Sequence, residues 1–120
     1  MKNCWTIVAN LSMKNPARFR AEGAQLREGE NIYVQTIFHE NGVKIFVREL
    51  ECNSETTVER RPNEAKYIFV LSGVLSVQRE HNSSFKLCKL ESMTIPPRNW
   101  HSYKTFDLPV KIIEMIYGEQ

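Results

Sequence analysis

From residue 32 onward, short apolar segments separated by turn residues dominate the chain. Ile32-Tyr33-Val34-Gln35-Thr36-Ile37-Phe38 is rich in β-branched and aromatic residues, which suit a pleated, half-buried surface. Glu40-Asn41-Gly42 follows, and Asn-Gly between two such runs is the strongest short-range hairpin signal. Val43, Ile45 and Val47 then alternate with Lys44, Phe46 and Arg48, the period of a strand. Tyr67 to Leu71 is continuously apolar, as expected of a strand covered on both faces, and Ser72-Gly73 punctuates it. Val74 to Arg79 resumes the pattern, and His81-Asn82-Ser83-Ser84 reads as a polar turn. Phe85-Lys86-Leu87-Cys88-Lys89-Leu90 alternates again, which places Cys88 in a strand. Met93-Thr94-Ile95 is brief, and Pro96-Pro97 ends it because neither proline can donate to a ladder. His101 to Phe106 and Val110 to Tyr117 close the series on either side of Asp107-Leu108-Pro109.

About eight strands at regular spacing, with no convincing helix between them, predict an antiparallel sandwich or barrel. Residues 31–118 are assigned to the barrel and residues 1–30 to an N-terminal arm or edge strand. Within the arm, Asn15-Pro16 fits a helix start, but Gly23 and weak apolar periodicity argue against a long helix through Leu26. Residues 11–30 are therefore read as mostly irregular, with one turn of helix at most. There are no repeats and no linker, so 1–120 is one domain.

Composition narrows the function classes. At 120 residues the chain has room for a single core. A hydrophobic content of 42% is too high for a disordered chain, and a net charge of +2 is too small to argue for nucleic acid. Cys4, Cys52 and Cys88 show no C-x-x-C spacing, and their odd number suits a reducing, cytoplasmic compartment. The apolar run near Trp5-Thr6-Ile7-Val8 is too short for a signal peptide, and no segment reaches membrane-spanning length.

From Thr57 onward the chain resembles the cupin superfamily, whose first motif is G-x5-H-x-H-x3-4-E-x6-G and whose second is G-x5-P-x-G-x2-H-x3-N. Gly73 matches the closing glycine of the first motif, which puts Lys66 at the family's glutamate and Glu59 and Arg61 at its two histidines. In the second motif Pro96 matches the proline, Arg98 replaces the glycine and His101 matches the histidine. The resemblance implies an all-β double-stranded β-helix, a jelly-roll barrel, with a short irregular or helical N-terminal segment. It also implies a homodimer, for which Trp5 to Val8 is a candidate edge strand. Metal-binding cupins resemble one another in using three His and one Glu, whereas Arg61 and Lys66 carry fixed positive charge that repels a cation. No metal and no cofactor are therefore expected. His39 and His81 are read as solvated turn residues, and Trp5 and Trp100 as packing or interface residues.

If the cupin register holds, Glu59, Arg61, Lys66, His101 and Tyr103 point into a barrel able to hold one small ligand. Arg and Lys there favour an anion such as a sugar phosphate, nucleotide-sugar or organic acid. The leading expectation is a metal-independent cupin that binds a small anionic molecule, with no nucleic-acid or membrane partner. One alternative is an enzyme catalysing isomerisation, epimerisation or dehydration by proton transfer, with His101, Glu59 and Tyr103 as the catalytic candidates. Another is an inert dimerisation module, in which Glu59 pairs with Arg61 or Lys66 simply to replace a lost metal.

Overall fold

The computed structural model describes residues 26–27 and 31–118, and among these nine strands form two antiparallel sheets. The strands are β1 (Leu26–Arg27), β2 (Ile32–Glu40), β3 (Val43–Leu50), β4 (Glu64–Ser72), β5 (Leu75–Arg79), β6 (Ser84–Leu87), β7 (Ser92–Ile95), β8 (His101–Lys104) and β9 (Val110–Gly118). The large sheet runs in the order β1-β2-β3-β9-β4-β7, and the small one in the order β6-β5-β8. No described helix is long and apolar enough to cross a membrane. The expectations for Cys4, for the Trp5 to Val8 segment and for most of residues 11–30 lie outside the described residues.

The turn chemistry explains the connections. Asn41 and Gly42 both hold positive φ, 53° and 75°, which gives the β2–β3 hairpin the turn whose twist matches its strands. Gly73 holds φ at 85°, and a Cβ there would lie 2.5 Å from the Pro109 carbonyl oxygen. Only glycine fits where β4 turns into β5 against the start of β9. His81 belongs to a single 3-10 turn between β5 and β6 and is exposed, while His39 is exposed near the end of β2.

One expectation is corrected here. Cys88 is not a strand residue, because β6 ends at Leu87 and Cys88 lies exposed in the following turn. Glu91 accepts a hydrogen bond from the Cys88 amide at 2.7 Å, and Leu90 adopts φ of 68°, so the local backbone turns before the alternation is spent.

Strand period alone does not say which face of the large sheet is inner, because both are apolar. One face packs Leu50, Ile68, Val70, Val110 and Ile112 against Leu75, Val77, Leu87 and Tyr103 of the small sheet. The opposite face carries a second cluster of Val43, Ile45, Ala65, Met115 and Tyr117. The register places Arg48 beside Ile112 and Glu114 beside Ile68 in the inter-sheet layer. Val43, Ile45 and Val47 therefore point away from the barrel, and Arg48 points into it.

Candidate functional site

Between the sheets, beyond the apolar layer, lies a connected set of polar side chains. Lys66 comes from β4, His101 and Tyr103 from β8, Glu114 from β9 and Arg48 from β3. Glu59 and Arg61 come from the extended segment that precedes β4. That segment runs beside β8: the Glu59 amide donates to the His101 carbonyl at 2.8 Å, and the His101 amide donates back at 3.0 Å. Thr56 and Tyr103 exchange similar bonds, and Arg61 accepts one from the Arg98 amide at 2.7 Å.

Lys66 is the hub. It is 2% exposed, and its Nζ lies 2.9 Å from Glu59 Oε1, 2.9 Å from His101 Nε2 and 3.1 Å from Glu114 Oε2. An ammonium has three N–H donors and no acceptor, so these three neighbours saturate it. The same logic fixes the His101 tautomer: Nε2 accepts from Lys66, and Nδ1–H donates to the Asn99 carbonyl at 3.2 Å. Burial, reinforced by the Lys66 charge, pushes the His101 pKa down, which keeps the ring neutral.

Glu114 anchors the deep end. Arg48 Nη1 sits 3.1 Å from Glu114 Oε1, and the Tyr103 hydroxyl donates to Glu114 Oε2. Burial alone would raise the Glu114 pKa. Lys66 and Arg48, with hydrogen bonds from Tyr103 and Lys66, outweigh it and hold the carboxyl at about 2. Tyr103 is held well above the usual phenol range, by burial first and by the Glu114 charge second. Arg48 and Lys66 also sit 5.5 Å and 5.3 Å from the Tyr103 ring centre, within cation–π reach.

Glu59 and Arg61 form the rim. Their side chains are 32% and 31% exposed, against 2% for Lys66. Glu59 Oε1 accepts from Arg61 Nε at 2.6 Å and from Lys66, while Arg61 Nη1 reaches Glu64 at 3.1 Å. Burial raises the Glu59 pKa less than Lys66 and Arg61 lower it, so the carboxylate is stabilised as an anion. Arg48, Arg61 and Lys66 thus face three carboxylates, Glu59, Glu64 and Glu114, and the network is neutral.

The structure therefore brings Glu59, Lys66, His101 and Tyr103 together as the register implied. Arg61 joins them only through Glu59, at the rim and not in the interior. Arg48 and Glu114 were missed. Glu114 was visible as the one carboxylate inside the apolar run Ile112 to Tyr117, whereas Arg48 looked like the solvent side of an alternating strand. Trp100 is 47% exposed beside Arg60 and contributes nothing to the core. Two surface cavities of about 310 and 320 Å³ lie elsewhere, and none of the candidate residues lines either.

A divalent cation does not fit this donor set as it stands. The point toward which Glu59, His101 and Glu114 converge is filled by the Lys66 ammonium, and Arg61 and Arg48 add two more cations around it. Among the described residues, no group of three His, Cys, Asp or Glu is arranged to hold a metal.

Two jelly-roll sheets joined in this order, with Lys66 on β4, His101 on β8, and Gly73 and Pro96 just past the ends of β4 and β7, are the architecture of a cupin. No family model and no curated protein sequence matches the chain. Solved structures do. KdgF from Halomonas sp. superposes with a TM-score of 0.73 at 11% identity, covering 82% of this chain and 90% of its own. An RmlC-like cupin from Shewanella frigidimarina gives 0.72 at 14%, covering 84% and 86%. A predicted oxalate decarboxylase from Thermotoga maritima gives 0.68 at 10%, covering 73% and 81%. The chain has the cupin fold.

Proposed function

We propose that the protein is a metal-independent cupin that binds a small anionic molecule at the rim of its barrel. The observation that carries this reading is the seat of Glu59. One carboxylate oxygen, on a side chain about one-third exposed, is held by Arg61 at 2.6 Å and by Lys66 at 2.9 Å. Two cations converging on one oxygen make an anion site, and the planar guanidinium suits carboxylate or phosphate. An incoming carboxylate or phosphate exchanges for Glu59, which swings into solvent. The exchange keeps the buried charges balanced and leaves no cation unpaired.

The geometry favours binding over proton transfer. Tyr103 is 1% exposed with its hydroxyl committed to Glu114, and the His101 Nε2 lone pair is occupied by Lys66. Of the three catalytic candidates only Glu59 reaches solvent, and its depressed pKa makes it a weak base at neutral pH. The protein is expected to act as a homodimer, which light scattering on the purified chain tests.

Thermal-shift titration with organic acids, sugar phosphates and nucleotide-sugars tests the reading. At least one class raises the melting temperature of the wild type, and Arg61→Ala abolishes that rise while folding normally. No rise with any class, or a rise indifferent to Arg61→Ala, defeats it. Turnover lost in His101→Ala with affinity retained would instead establish the enzyme.

A further inference from the structure

The small sheet turns Val77 and Tyr103 into the core, so the residues that alternate with them face away from the large sheet. The register sets these outer residues in rows. Lys86 and Lys104 flank Ser76, which is 3% exposed, and Gln78 lies between Ser84 and Ser102 in the next row. Past that row Trp100 is 47% exposed, and the Arg60 guanidinium lies 6.0 Å from its ring centre. At the opposite end the Lys86 ammonium lies 5.1 Å from the Phe106 ring centre. Beside that pair opens a cavity of about 320 Å³, walled by Val74, Phe106 and Leu108. We infer that this outer face docks an extended acidic segment of a partner protein. One apolar side chain of the segment fills the Phe106 cavity, one carboxylate meets the Lys86–Lys104 row and a second meets Arg60. The inference stands independently of small-molecule binding at the rim, since Glu59 and His101 face the barrel from the other side of the same backbone.

Charge complementarity selects the partner. Arg48, Arg61, Lys66 and Lys111 each face a carboxylate of this chain. Among the described residues Arg60, Lys86 and Lys104 form no ion pair, and two of the three lie over aromatic rings instead. A ring face attracts a cation without using its N–H donors, which leaves them for an incoming carboxylate. Exposed Trp and Arg are also the side chains that carry most of the energy of protein interfaces. The acids near this face decide what does not fit. Glu55 stands opposite Lys104, Glu80 accepts the Trp100 amide at 3.2 Å, and Asp107 borders the cavity. A carboxylate in the cavity would meet Asp107, so the anchoring side chain is apolar. A nucleic-acid strand, charged at every phosphate, would meet all three acids, whereas a peptide with two placed carboxylates avoids them.

The spacing follows from the strands. Trp100, just before β8, is four positions from Lys104, about 13 Å of extended backbone. Alternate side chains of an extended peptide reach the face, so its two carboxylates stand four residues apart. Phe106 lies two positions beyond Lys104, which sets the apolar anchor two residues before the first carboxylate.

The test uses a fluorescein-labelled serine peptide carrying one leucine, a glutamate two residues later and a second glutamate four residues beyond that. Fluorescence anisotropy follows its binding to the full chain. Wild type binds it saturably, more than about tenfold tighter than the same peptide with glutamine for both glutamates, and added salt weakens the complex. The pair Lys86→Glu with Lys104→Glu, and Arg60→Glu alone, each weaken binding by about tenfold or more. Moving the second glutamate by one residue turns it off the face and costs as much as removing it. Arg61→Ala, which disables the rim, leaves peptide binding as it was. No saturable binding, equal affinity for the glutamine peptide, charge reversals without effect, a loss in Arg61→Ala, or tighter binding of an oligothymidylate of matching length overturns the inference.

Discussion

Glu114→Gln probes the deep end of the network with little change in shape. The substitution keeps the volume and one acceptor for Tyr103, but it removes the carboxylate charge that buried Arg48 and Lys66 share. Removing one partner from a buried ion pair costs about 3–5 kcal/mol. For 120 residues the unfolding entropy is about 0.25 kcal/mol/K, so the melting temperature falls by about 12–20 °C at pH 7. The pH dependence is more specific. Glu114 titrates near 4.5 when unfolded and at about 2 when folded. A depressed carboxyl stabilises the fold fully above pH 4.5, and that contribution, roughly 3 kcal/mol, is lost as pH falls toward 2. The gap in melting temperature between wild type and Glu114→Gln therefore narrows steadily from pH 5 to pH 2. Differential scanning calorimetry across that range measures it, and carboxyls remote from the Lys66 network protonate in both proteins alike. A gap below about 3 °C at pH 7, or one that stays constant with pH, would refute the assignment of Glu114 as a buried, doubly paired anion.

Three further outcomes follow from the same geometry. Tyr103→Phe removes one hydrogen bond to a charged group and lowers stability by about 1.5–3 kcal/mol, read by urea denaturation at an unchanged m-value. Gly73→Ala places a Cβ 2.5 Å from the Pro109 carbonyl oxygen at a positive φ and costs more than about 2 kcal/mol, whereas Gly42→Ala meets no neighbouring atom and costs less. Arg98 occupies the position of the motif glycine with φ of 65°, so Arg98→Gly relieves a left-handed conformation and raises stability by about 0.5–1 kcal/mol in the same assay.

The framework was readable because each of its signals is local. Asn41-Gly42 specifies a hairpin through the positive φ of both residues, and Gly73 specifies a close approach that no side chain tolerates. Spacing counted back from Gly73 assigned Lys66 on β4 and Glu59 before it, the second motif assigned His101 on β8, and the fold brings the three side chains together. Two kinds of information were not local. The large sheet is apolar on both faces, so alternation in β3 could not reveal that Arg48 faces the barrel and Val43 and Ile45 face away. Arg61 shares a face with Glu59, yet its exposure depends on where the segment leaves the shelter of β8 and turns toward Glu64. Cys88 shows the reverse failure: a sound alternating pattern was cut short by a turn built on Glu91 and Leu90.

The account rests on exchange at Glu59, and the side-chain carboxyl resonance of that residue reports on it directly. With ¹³C-labelled glutamate, assigned by comparison with Glu59→Gln, the signal is followed during titration with the organic acid or phosphate that raises the melting temperature most. Exchange predicts that the Glu59 resonance moves in step with ligand occupancy toward the position of a solvent-exposed carboxylate, while that of Glu114 holds still. Saturable binding that leaves the Glu59 resonance where it began would contradict the account.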